Sequence, residues 1–278
     1  MSDDTLQVNT LGMNDSKLLL ADIWKTFKSI FAEIGKFDFL FMLLYMVLIS
    51  FSTIISKSIL NGLRSYENGF AFAIVFLILY AVIVVLGGWF FAYSSLFARL
   101  QYVYHVDKFN ERIALWKPTF SWNKKVFLFA ICNLLLFTVF VVFVNIMNYV
   151  FTIKFIWQFI YYVGVSIILQ LSVVAAYLIQ FHQYRIWHSI SQSFYVFVKN
   201  WKLILVFQIV VNVCFIVLAF IAIFFFILLM KKTIALILCG LLILVLFFTL
   251  VTPLMMAFHY QLAKFSLSSK TDGFNEDL

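Results

Sequence analysis

The stretch VFLFAICNLLLFTVFVVFVNIMNYVF, residues 126–151, decides the fold. It contains no Asp, Glu, Lys or Arg, and lysines bracket it: Lys124 and Lys125 before, Lys154 after. A helix that crosses a bilayer needs about 20 mainly apolar residues, and this run exceeds that length. Five more stretches read the same way: 39–56, 70–97, 155–181, 203–230 and 233–260. None of them carries a charged residue. The chain therefore reads as an all-α polytopic membrane protein with six transmembrane helices.

Composition agrees. Of 278 residues, 65% are hydrophobic and 12% charged, against about 25% charged in soluble domains. Mean hydropathy is +1.05. Water would not tolerate so much apolar surface on a chain of this length. The net charge of +8 does not point to nucleic acid, because the basic residues sit between the apolar runs. The preference of Lys and Arg for the cytoplasmic side explains them there. With the N-terminus inside, fifteen basic residues fall in cytoplasmic segments and five outside. That bias places both termini in the cytoplasm of a cell (inner or plasma) membrane protein. Tryptophan follows it. Trp24, Trp89, Trp116, Trp122, Trp187 and Trp201 lie near expected cytoplasmic boundaries, and only Trp157 lies near an outer one. The outer loops are too short to build a receptor head or an external catalytic domain.

The polar material divides as follows. Residues 1–15 are polar, with Asp3, Asp4 and Asp15, and read as a disordered cytoplasmic N-terminus without a signal peptide. Over 16–36, Leu20, Ile23, Trp24, Phe27, Ile30, Phe31 and Ile34 recur at helical spacing, with Lys25, Lys28 and Glu33 opposite. Such an amphipathic helix lies in the headgroup plane or packs against the rest of the protein; both place it at the cytoplasmic boundary. Residues 37–260 form the six-span domain, and 261–278 a cytoplasmic tail.

Three segments share one small pattern before spans one, three and five: FAEIGKF, FSWNKKV and FVKNWKL. Their lysines, Lys36, Lys125 and Lys202, are 89 and then 77 residues apart. The repeat predicts three units, each an interfacial helix, a snorkelling lysine and a helical hairpin through the membrane. Trp24, Lys36, Lys125, Trp201 and Lys202 are the expected interface anchors.

LADIWKTFKSIF at the start, the central SISQSFYVFVKNWKLILVF, and TPLMMAFHYQLAKF with Pro253 and Tyr260 carry a resemblance. The chain resembles a group of six-span bacterial inner-membrane proteins. That group is similar to the membrane domain attached to some glycerophosphodiester phosphodiesterases and to the YciC-like family. The resemblance implies an envelope-membrane protein without an assigned reaction. No phosphodiesterase domain accompanies this chain, so that activity does not carry over.

Chemistry-bearing residues are sparse. Ionisable groups inside a membrane mark functional sites, yet only Asp38 and His259 come close, both at expected boundaries. Cys132, Cys214 and Cys239 are dispersed packing residues, and His105, His182 and His188 lack ligand spacing, so no metal or cofactor is expected. Asn133, Gln170, Gln208 and Asn212 remain, each placed by helical rise about 9–16 Å from a cytoplasmic span end. Gln208 and Asn212, four residues apart, share a face. The four either bound a ligand cavity open to the cytoplasm or join helices by hydrogen bonds. Pro253 is expected to kink span six, and Gly87-Gly88 to allow a close helix approach. The expected role is a non-catalytic scaffold, assembly factor or partner subunit, its partners the bilayer and another membrane protein. The alternative is a transporter or channel-like protein for a lipid or small amphiphile.

Overall fold

A computed structural model describes residues 13–63, 69–150, 154–228, 245 and 247–267. The described residues are all-helical, without strands. The elements are α1 (Met13–Leu63), α2 (Gly69–Phe109), α3 (Trp116–Thr119), α4 (Lys124–Val150), α5 (Lys154–Phe181), α6 (Ile186–Lys199) and α7 (Trp201–Leu228). A π-helical turn, Phe247–Val251, then leads into α8 (Thr252–Leu267). Among the described residues, three helices are long and apolar enough to cross a membrane: Lys124–Val150, Ile156–Phe181 and Trp201–Leu218. The chain is a membrane protein on that ground. Residues 233–244 and 246 of the stretch expected as span six lie outside the described residues, as do the expected outer residues Arg64, Lys231 and Lys232.

The first two helices differ from expectation in length. No break separates the segment 16–36 from the apolar run after it; α1 is one helix of 51 residues, about 76 Å at 1.5 Å per residue. α2 has 41 residues, about 62 Å. Both far exceed a hydrocarbon core of about 30 Å. Neither helix contains a proline, and the helical period of buried residues runs straight through Gly35 and Lys36. Segment 16–36 is therefore the first half of a long helix. The segment before span three is mostly irregular, with only the four-residue α3. The one before span five is a full helix, α6.

The core gathers at one end of the molecule. Leu19, Ile23, Ile30, Ile34 and Phe37 on α1 are buried, spaced so that they share one face. α1 packs most extensively on α8. There Met256, Ala257, Phe258, Tyr260, Leu262, Ala263 and Leu267 are buried. The expected tail is thus helical as far as Leu267, and its first residues belong to the core. Leu100, Tyr102 and Val103 of α2 and Val174–Ile179 of α5 complete it. By contrast α4, α5 and α7 expose large apolar side chains elsewhere, Val139, Tyr149, Phe159, Tyr162 and Phe220 among them. α7 contributes few inward residues, chiefly Ile204 and Val211, and Phe207 stacks on Phe258 at 3.8 Å.

Local chemistry sets the helix ends. The Asn123 side-chain oxygen accepts from the Lys125 and Val126 amides at 2.9 and 3.4 Å, capping α4. α2 ends with Asn110 at φ 54°, where the Glu111 amide donates to the His105 carbonyl. α5 ends likewise: Gln183 sits at φ 53° and the Tyr184 amide donates to the Leu178 carbonyl. Both are left-handed C-terminal caps, a position glycine usually fills. Pro253 is one residue into α8, directly after the π-helical turn. Pro253 has no amide hydrogen to give the Thr249 carbonyl, and the turn widens over the preceding residues. At this level α1 crosses closely: a Cβ on Gly35 would lie 3.2 Å from the Thr249 carbonyl oxygen. A second close approach lies between α5 and α4, where a side chain on Gly164 would overlap the Phe140 ring. Gly87 faces open space and Gly88 meets only the Tyr45 ring, so the close approaches fall at other glycines than Gly87-Gly88.

Candidate functional site

The four polar span residues do not form one cluster. Gln170 donates to the Gln208 side-chain oxygen, and Gln208 donates to Asn212 at 3.2 Å, a string joining α5 to α7. Asn133 lies apart. Its amide donates to the Phe129 carbonyl at 3.1 Å, and its oxygen accepts from Ser172 at 2.8 Å. The Tyr93 hydroxyl donates to Ser172 at 3.1 Å, adding α2. Gln170 and Ser172 are two residues apart, which at about 100° per residue points them to nearly opposite sides of α5. The amides thus split into two joints on either flank of α5.

Charged groups form two further joints near the buried end. Asp38 and Arg99 make an ion pair between α1 and α2, with side-chain exposures of 0% and 13%. The Arg99 guanidinium also lies 5.6 Å from the centres of the Phe37 and Phe41 rings. Asp38 is therefore buried and paired, where its position in the sequence suggested a solvated boundary residue. Burial outweighs the pull of Arg99 and pushes its carboxyl up to about 6. Asp107, at the end of α2, accepts from Tyr260 at 3.1 Å, Gln261 at 3.4 Å and Lys264 at 2.5 Å. Gln261 also donates to Thr26 of α1 at 2.7 Å. Asp107 thereby links α2 to α8, and Gln261 links α8 to α1. Asn200 donates to Ser266 at 3.1 Å, tying the α6–α7 junction to α8.

His259 is also buried, with its Nδ1 2.8 Å from the Met255 carbonyl oxygen. The void beside it, shared with Gln170 and Ser193, measures ≈ 10 Å³. That is about the room of one water molecule and too little for a ligand. Among the described residues no group of His, Cys, Asp and Glu could hold a metal ion.

The expected anchors are placed at the surface. Trp24 and Trp201 are exposed, with the Lys28 ammonium 5.1 Å from the Trp24 ring and Lys202 5.9 Å from the Trp201 ring. Lys36 points outward beside Glu33 at 3.7 Å. Trp116 is exposed on one side while its ring packs edge-on against Phe37 at 4.7 Å. α6 shows three faces. Ser189, Ser193 and Val196 face inward and Trp187, Phe194 and Val198 stand exposed. His188, Ser191 and Lys199 fall on the remaining arc.

Lys125 has a second setting. With Ser94 and Gln101 of α2, Ser121 after α3, and Gln180 and Gln183 at the end of α5, it lines a half-open cleft of ≈ 250 Å³. No carboxylate lines this cleft. Ser94 is 3% exposed, and neither its hydroxyl oxygen nor the Gln180 side-chain oxygen has a hydrogen-bond partner. This is the candidate site. Its residues are ordinary in sequence, a serine in an apolar run and two glutamines at a span end. Only the meeting of α2, α4 and α5 makes them a set. A second cleft, ≈ 360 Å³ and mainly apolar, lies between α4, α5 and α6, with Asn133, Ser172 and Ser193 in its wall.

No protein-family model matches the chain, and neither curated proteins nor solved structures provide a match.

Proposed function

We propose that this is a six-span, non-catalytic membrane protein that acts as a scaffold, assembly factor or partner subunit through its cytoplasmic end. Both termini are cytoplasmic in this reading, and the envelope-membrane role implied by the resemblance belongs to it. The supporting observation is the reach of α1. Trp24 stands fifteen residues before the apolar run that begins at Phe39, about 22 Å along the helix. Leu20 and Trp24, four residues apart on one face of α1, are nonetheless 55% and 54% exposed, beside the face that is packed on α8. An apolar stripe so far from the span is covered by a protein partner, or by headgroups if the helix tilts strongly. The buried polar groups join helices to one another, as expected of a rigid platform.

A photo-crosslinking residue at Trp24, introduced in cells, separates these coverings. Adducts of one fixed protein mass, with the same protein recovered at fixed stoichiometry in mild detergent, are the expected result. Adducts to lipid alone overturn the proposal. The second reading, a carrier of lipid or small amphiphile, is favoured by the apolar cleft bordered by Asn133. Lipid retained through purification and lost on filling that cleft with Ala175→Leu is its signature.

A further inference from the structure

We propose that the cleft between α2, α4 and α5 binds a phosphate group. It lies beyond the scaffold reading and stands whether or not Trp24 meets a partner. The lining sets the sign: Lys125 supplies a positive charge and no Asp or Glu opposes it. Lys124 adjoins in sequence, and the positive end of the α4 dipole adds to the field. The lining also supplies donors. The Ser94 hydroxyl and the Gln101, Gln180 and Gln183 side-chain amides line it from α2 and the end of α5, and a phosphate oxygen accepts from several donors at once.

The Ser94 hydroxyl gives the independent sign of a ligand. It is buried in the wall of the cleft, and a serine on a helix readily satisfies itself on a carbonyl of the preceding turn. Ser189 and Ser193 donate to the Arg185 and Ile190 carbonyls in this way, whereas Ser94, like the buried Ser95 beside it, has no partner, and of the two only Ser94 lines the cleft. At the rim, Gln183 holds the left-handed cap of α5, where glycine would be unstrained. That position keeps an amide on the cleft. The volume of ≈ 250 Å³ falls just below the range of about 300–1,000 Å³ typical of ligand pockets. It suits a headgroup-sized anion, with any acyl chains left outside.

The phosphate comes from a phospholipid headgroup or from solution, and binding measurements on the purified full-length protein distinguish them. The probes are phosphatidylglycerol, diacylglycerol as its phosphate-free counterpart, and inorganic phosphate, read by native mass spectrometry and thermal shift. Phosphatidylglycerol binding at least tenfold tighter than diacylglycerol supports the proposal with a lipid source. A saturable shift with inorganic phosphate of equal size supports it with a soluble one. Lys125→Gln is expected to weaken either by about tenfold. Ser94→Ala is expected to weaken it severalfold while leaving the probe-free melting temperature unchanged or higher, since it removes an unpartnered hydroxyl. Equal binding of the two lipids with no response to inorganic phosphate overturns the proposal. So do both variants binding as the wild type does.

Discussion

Replacing Arg99 with methionine is expected to destabilise the protein by about 3–5 kcal/mol at pH 7, because it strands a buried carboxylate. Methionine keeps much of the side-chain volume, so the loss reads the charge. Asp38 is wholly buried in its side chain, and the guanidinium over Phe37 and Phe41 is lost with the pair. The pH dependence separates this from simple repacking. The Asp38 carboxyl is raised from 3.8 to about 6 in the folded protein, so the folded state holds that proton more tightly than the unfolded one. Its contribution to stability is therefore greatest below the ordinary carboxyl range. It declines as pH rises to and through about 6. For the wild type this group alone makes pH 5 more favourable than pH 7 by about 1 kcal/mol. Without Arg99 the carboxyl rises further, and the deficit of the variant shrinks at pH 5 as the stranded charge is neutralised. Reversible unfolding in mixed detergent at both pH values measures this. An equal deficit at the two would remove Asp38 as its cause.

The second large effect is expected at Asp107. Asp107→Ala removes the acceptor shared by Tyr260, Gln261 and Lys264 and should cost about 3 kcal/mol. Hydrogen bonds to a charged group contribute about 1.5–3 kcal/mol each, and a buried donor left without its partner adds a penalty. Tyr260 and Gln261 are 1% and 4% exposed, so water does not replace the carboxylate for them. Lys264 is the internal control. Its side chain is 45% exposed, and Lys264→Ala should cost less than 1 kcal/mol, as exposed ion pairs do. The same unfolding assay ranks the two. Similar losses would mean that the ion pair with Lys264, and not the hydrogen bonds from Tyr260 and Gln261, ties α2 to α8.

What the sequence made legible follows from how local each feature is. The charge-free runs of α4 and α5 are visible residue by residue, because bilayer length and composition are local properties. The helical period of Ile23, Ile30 and Ile34 was equally plain, and so was the proline that sits beside the π-helical turn. The continuity of α1 was harder to see. The change from amphipathic to apolar at Lys36 looks like a boundary, although no helix-breaking residue stands there. Gln208 and Asn212 were paired correctly because four residues make one helix face. Asn133 was not, because its partner Ser172 lies across α5 from Gln170, and only helix rotation reveals that. Asp38 and Arg99 belong to different helices, and each alone looks like an ordinary boundary charge. The cleft at Ser94 needs three helices to exist at all, so no window of sequence contains it.

The central claim is that the chain crosses the membrane six times with the packed, polar-linked end in the cytoplasm. Single cysteines at Lys231 and at Lys117, in a background lacking Cys132, Cys214 and Cys239, test it most directly. A membrane-impermeant maleimide is added to intact cells or spheroplasts. The account predicts rapid labelling at Lys231→Cys and labelling at Lys117→Cys only after the membrane is opened. Protection of position 231 together with labelling of position 117 in intact membranes would contradict it.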